Sequence, residues 1–124
     1  MTYNDLTEEM RNDIVSAVKR SLLRLGINVD VTLSAKKLYN GKEFVEVKTS
    51  EFNTVPVIYK VITVTGGGYI VPYDGKDDVF TLALYLDYHF DYFTGGENGV
   101  DIGVMNFRIF TKTQRVAFLG FTLR

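Results

Sequence analysis

The chain has 124 residues, of which 46% are hydrophobic and 23% charged, with two prolines. This balance belongs to a folded single domain with one core, not to a disordered segment. There is no cysteine, which excludes disulfides, thiolate nucleophiles and cysteine-ligated metals and leaves packing alone to hold the fold. A formal net charge of −1 argues against a phosphate-binding surface, so direct nucleic-acid binding is not expected. No apolar leader core opens the chain, and no run approaches the ~20 apolar residues of a membrane-spanning helix. The expectation is a cytoplasmic protein without membrane contact.

In chain order, the first periodic segment holds Leu6, Met10, Ile14, Ala17, Val18, Leu22 and Leu25 at steps of three and four, which places them on one stripe of a helix. Asp5 with Glu8 fits a capping box, and Thr7 is a competing cap. Glu8 and Glu9 early, with Arg20 and Arg24 late, complement the helix dipole, and Gly26 supplies a left-handed C-terminal residue. The spacing predicts a helix over about 5–25 that covers one face of a sheet.

From Ile27 the period changes to two, and a half-buried strand is expected over about 27–38. A second strand, about 43–50, follows Asn40-Gly41. A two-residue loop would set Val45 against Lys36, mixing apolar and polar side chains on one face. A three-residue loop, Tyr39-Asn40-Gly41 with Gly41 left-handed, pairs Ala35 with Val45, Leu33 with Val47 and Lys37 with Glu43, and is preferred. Residues 56–65 are apolar at both parities and β-branched, as in a central strand. Gly66, Gly67 and Gly68 then read as a hinge or tight bend before a short strand at 69–73.

After Asp74-Gly75, residues 79–94 carry Phe80, Leu82, Leu84, Leu86, Tyr88, Phe90 and Tyr92 on one parity. Such a strand would extend ~50 Å at about 3.3 Å per residue, so it must bend at a bulge or project as an arm. Residues 100–111 return antiparallel, and matching the apolar faces sets even-numbered residues against odd ones. One such register places Leu86 opposite Ile109, Tyr88 opposite Phe107, His89 opposite Asn106 and Asp87 opposite Arg108. A strand at 115–123, with Ala117, Leu119, Phe121 and Leu123 inward, completes the meander. The fold class is therefore α+β: one N-terminal amphipathic helix on a mostly antiparallel sheet of about six or seven strands, with a long C-terminal hairpin and meander, all in a single domain spanning 1–124.

Chemistry-bearing clusters are few. Asp87, His89 and Asp91 share one face of the long strand, so their side chains are spaced to converge on a proton or a hard cation. With Arg108 across the strand they also fit a plain polar face, and with one histidine in the chain a multi-histidine zinc site is not available. Asp74, Asp77 and Asp78, and Glu97 with Asp101, lack the spacing of a calcium loop. Ser16, Ser21, Ser34 and Ser50 lie in no nucleophile elbow. No catalytic residue, metal or cofactor is assigned.

Tyr85 and Phe93 are the aromatic residues on the parity of Asp87, His89 and Asp91, which makes Tyr85, Asp87, His89, Asp91, Phe93 and Arg108 the candidate contact surface. Charge is also uneven. Residues 102–124 hold Arg108, Lys112, Arg115 and Arg124 and none of the 15 acids, a polarity that fits either pairing within one subunit or the meeting of neighbouring copies. The organisation is similar, by pattern rather than by any motif, to that of small neck, connector or coat-associated proteins of tailed bacteriophages. The resulting expectation is a non-enzymatic assembly subunit that forms a homo-oligomer or joins other protein subunits through β surface, in the cytoplasm or in a virion. A small-ligand or peptide-binding module, and a hydrolase or metal-dependent enzyme using Asp87, His89 and Asp91, are the competing expectations.

Overall fold

The computed structural model describes residues 2–37, 41–53, 62–90 and 100–123. A 3-10 turn, Tyr3–Asp5, leads into helix α1, Glu8–Arg24; strands β1 (Val31–Lys37), β2 (Glu43–Thr49), β3 (Phe52–Asn53), β4 (Ile62–Pro72), β5 (Val79–Phe90), β6 (Val100–Phe110) and β7 (Arg115–Leu123) follow. The strands form one antiparallel sheet in the order β1-β2-β4-β5-β6-β7, with β3 beside β4. This is the expected helix on an antiparallel sheet.

The helix starts later than its acidic signature suggests. Thr7 is the N-cap, its Oγ1 accepting the Met10 amide at 3.1 Å, while Asp5 accepts the Thr2 amide at 2.8 Å and so closes the preceding turn instead. Gly26 takes φ +80° beyond the last turn. Leu6, Met10, Ile14, Ala17, Val18 and Leu22 are buried as the stripe requires, but Leu25 is 47% exposed, because the helix has already ended at Arg24. Ser21 is buried in its place along the stripe, its hydroxyl donating to the Ala17 carbonyl at 2.8 Å. α1 lies against β1 and β7, the two end strands of the sheet path. The sheet therefore curves around the helix, with a concave core face and a convex outer one.

The first hairpin has the bulged-turn register: Ala35 pairs with Val45, Leu33 with Val47 and Lys37 with Glu43, and Gly41 has φ +78°. Tyr39 and Asn40 of that loop, and 56–61 of the expected third strand, lie outside the described residues. The first strand begins at Val31, not Ile27. The three glycines make no bend. They lie inside the continuous strand β4, which joins the two segments expected to be separate. At two of them the role is close approach: a Cβ on Gly66 would come within 2.9 Å of the Thr49 side chain, and one on Gly68 within 2.1 Å of the Ala83 carbonyl oxygen.

In the long hairpin the even-to-odd rule holds from Val79 to Leu86 and is broken beyond it, and the partners differ from the expected ones. Phe80 pairs with Ile109, Leu82 with Phe107 and Ala83 with Asn106, while Thr81 faces Arg108 and Asp87 faces Asp101. Sliding one alternating strand along another by an even number of residues keeps every apolar face matched, so the pattern alone leaves such registers equivalent. The ladder between β5 and β6 shifts at a bulge: Leu86 is opposite Gly103 and Asp87 opposite Asp101, leaving Ile102 of β6 as the extra residue, while 91–94 of the expected long strand lie outside the described residues. A second bulge leaves Leu119 extra between Phe118 and Gly120, the latter at φ +150°. It reverses the parity of β7. Val116 and Phe121 pack against the core, Ala117 faces Arg108, and Leu119 is 52% exposed, contrary to the inward Ala117 and Leu119 of the sequence pattern. The core itself joins the helix stripe to Val45, Val47, Val64, Ile70, Phe80, Leu82, Leu84, Leu86, Met105, Phe107 and Ile109.

Candidate functional site

The helix occupies the concave face, and no other described element is placed to cover the convex one. The outward parity of β2, β4, β5 and β6 builds that face. Successive rows across it follow from the ladder: Lys48 beside Gly67 beside Tyr85 beside Val104, then Glu46 beside Tyr69, with Ala83 beside Asn106, then Val71 beside Thr81 beside Arg108. Tyr85 is 43% exposed and Tyr69 36%, unusual for large side chains at the centre of a sheet. They flank an open groove of about 480 Å³ floored by Gly67, Gly68 and Ala83 and reaching Glu46 and Asp87 at its edges. Phe44 extends the aromatic surface, its ring centroid 6.0 Å from that of Tyr69.

Small residues on the floor and tyrosines on the rim arise from the local sequence. Counting Gly66-Gly67-Gly68 as strand makes Gly67, Tyr69 and Val71 one outward series along β4, alternating with Gly68 and the buried Ile70. Gly68 lets β4 approach the Ala83 carbonyl closely. Gly67 is different: a Cβ there would meet only the Val47 carbonyl oxygen, at 3.9 Å, an ordinary contact. Packing within the chain does not require that position to be empty.

Charge frames the aromatic centre. Glu46, whose side chain is only 13% exposed, lies 3.6 Å from Lys48 on the same face. Arg108 stacks on Tyr73, its guanidinium carbon 3.9 Å from the ring centroid. The Nε of Arg108 is buried and has no hydrogen-bond partner among the described residues. An unsatisfied buried donor on a cation carries a desolvation penalty that an acceptor would remove.

Of the candidates drawn from the sequence, Tyr85, Asp87 and Arg108 are on this face, and His89 has its backbone opposite Thr63 in the same strand ladder. Asp87 and Arg108 are not cross-strand partners. The register sets Asp101 across from the first and Thr81 across from the second. Asp91 and Phe93 lie outside the described residues, as do Glu97 and most of the loop containing it. Sequence reasoning missed Glu46, Gly67, Tyr69 and Ala83. The signal for them was present in the parity of β4, but reading the glycines as a bend broke the count.

The acidic loop is engaged elsewhere: Asp78 lies 3.8 Å from Lys112 and its carbonyl accepts from both the amide and hydroxyl of Thr111 at 3.1 Å, while Asp74 and Gly75 take positive φ in the β4–β5 turn. Among the described residues no three His, Cys, Asp or Glu side chains are grouped to hold a metal ion, and no helix is long and apolar enough to cross a membrane. Comparison with protein-family models, with curated proteins and with solved structures gives no match.

Proposed function

We propose that this chain is a non-enzymatic assembly subunit that associates with copies of itself through the convex face of its sheet. The observation that carries this reading is the pair Tyr69 and Tyr85, exposed at diagonal positions on the two central strands of a sheet whose other face holds the core cluster. Tyrosine supplies large, rigid contact area with a polar tip, the combination typical of interface anchors. Val71 and Ala83 extend the apolar area around them, and Glu46, Asp87 and Arg108 form a charged rim. A seven-strand sheet curved over one helix offers a stiff platform, which lowers the ordering cost of association. The organisation of the chain adds a setting, assembly into a virion as a neck, connector or coat-associated component.

Sedimentation velocity over a wide protein concentration range tests the reading. A species heavier than the monomer is expected, weakened by Tyr85→Ser without loss of the far-UV circular dichroism of the fold. A monomer at every concentration, or an oligomer indifferent to Tyr85→Ser and Tyr69→Ser, would overturn it.

A further inference from the structure

We infer that the outer face pairs with that of a second copy about a two-fold axis running across the strands, between the row of Gly67 and Tyr85 and the row of Tyr69 and Ala83. This inference rests on the self-association proposed above and adds its geometry. Along β4 the outward positions are Gly67 then Tyr69. Along β5, which runs the other way, the same two rows hold Tyr85 then Ala83. Large and small residues therefore alternate both along and across the strands. Rotation about that axis exchanges the two rows, so each tyrosine comes to lie over a small residue: Tyr85 over the partner's Ala83, Tyr69 over the partner's Gly67. A face that is its own complement is what an isologous contact requires. It also accounts for Gly67, the one of the three consecutive glycines for which packing within the chain leaves room for a side chain.

The same rotation matches charge. Glu46 and Lys48 occupy the two rows on β2, so Glu46 falls opposite the partner's Lys48 and Lys48 opposite the partner's Glu46. Asp87, one row beyond Tyr85, falls over the partner's Thr81, whose cross-strand neighbour is Arg108. The partner's carboxylate is thereby brought beside the Arg108 guanidinium, which stacks on Tyr73. A two-fold axis along the strands matches the tyrosines equally well, but it sets Glu46 and Lys48 over the β6 positions of Asn106 and Val104 and leaves Arg108 without a carboxylate. Curvature agrees with the choice of centre. Convex faces meet at their crest, here β4 and β5, and the flanking strands reach across with long charged side chains. Such a contact falls at the small end of specific interfaces, below about 1,200 Å² in total, so dimerisation should depend on concentration. The two-fold closes on itself, which makes the dimer the unit of any larger assembly.

Charge reversal with mixing tests the axis. In Glu46→Lys, two lysines of one chain face two of the other; in Lys48→Glu, two glutamates do. Each variant alone should dimerise at least about tenfold more weakly than the wild type. An equimolar mixture should recover dimers near wild-type strength, because every 46–48 contact between the chains is then of opposite sign. Loss of the Glu46–Lys48 pair within one chain cannot produce recovery on mixing. Glu9→Lys and Lys19→Glu, the same charge changes on exposed helix positions, serve as the control pair and should show no gain when mixed. Ala83→Tyr, which fills the receiving position, should abolish dimers while the circular dichroism of the fold persists. Association of the wild type with no recovery in the Glu46/Lys48 mixture, or with Ala83→Tyr still dimeric, would overturn this axis and leave self-association standing. A wild type that never associates would overturn both.

Discussion

Two adjacent glycines should respond to alanine in opposite directions. At Gly68 the added Cβ would come within 2.1 Å of the Ala83 carbonyl oxygen and 3.3 Å of a Leu82 methyl. The first is backbone of the neighbouring strand, so relief requires β4 and β5 to separate where the sheet is most central. Overpacking of that kind costs about 1–3 kcal/mol. The backbone atom places Gly68→Ala in the upper half of the range, about 2–3 kcal/mol. At Gly67 the same methyl meets one atom at 3.9 Å, and φ is not in the left-handed region. There alanine removes freedom from the unfolded chain at no steric cost and should stabilise by about 0.4–1 kcal/mol. At roughly 4 °C per kcal/mol for a domain of this size, Gly68→Ala should melt about 8–12 °C below the wild type and Gly67→Ala about 2–4 °C above it. Thermal and urea unfolding followed by circular dichroism, in dilute solution so that association does not contribute, measures both. Equal effects at the two positions, or a Gly68→Ala variant as stable as the wild type, would refute the assignment of Gly68 to close strand approach and Gly67 to open surface.

Thr7→Ala removes the acceptor of the Met10 amide and should cost about 1 kcal/mol in urea unfolding, whereas Glu8→Gln leaves that cap in place and should cost less. The Thr2 amide holds the Asp5 carboxylate below the usual aspartate range. A group lowered on folding contributes stability above its unfolded value and loses it as pH falls through the folded one, so NMR titration should give Asp5 a midpoint below that of an unstructured aspartate, and Asp5→Asn should remove its part of the acid-side pH dependence. In β7, Leu119→Ser should change stability by less than about 0.5 kcal/mol, while Phe121→Ser, at a residue packed against the core, should cost several times more. A reversed order in chemical denaturation would contradict the parity switch at the Leu119 bulge.

The helix and the first hairpin were legible because their rules are local. A stripe at steps of three and four names the buried face of α1 whatever lies opposite. In the β1–β2 hairpin, loop length and apolar matching leave one satisfactory pairing, with Ala35 opposite Val45. The cap was legible only as a pair of candidates, since Thr7 and Asp5 both suit helix starts and both are used, one for α1 and one for the turn before it. The contact face was half legible. Tyr85 stood out by its parity beside charged neighbours, but Tyr69 was hidden behind glycines that look like a break when no neighbouring strand is known.

By itself the sequence determined the amphipathic helix, the period-two strands, the α+β class and the even-to-odd matching of the long hairpin, because each follows from side chains close in the chain. Only the tertiary structure decided which even-to-odd register of β5 and β6 is used, that Ile102 and Leu119 are the bulged residues, that Gly66–Gly68 continue a strand, and that α1 reaches both ends of the sheet. Those choices depend on what lies across from a residue. Alternating strands slid by two residues look the same to a local rule, and close packing against a neighbouring carbonyl or a curved sheet distinguishes them.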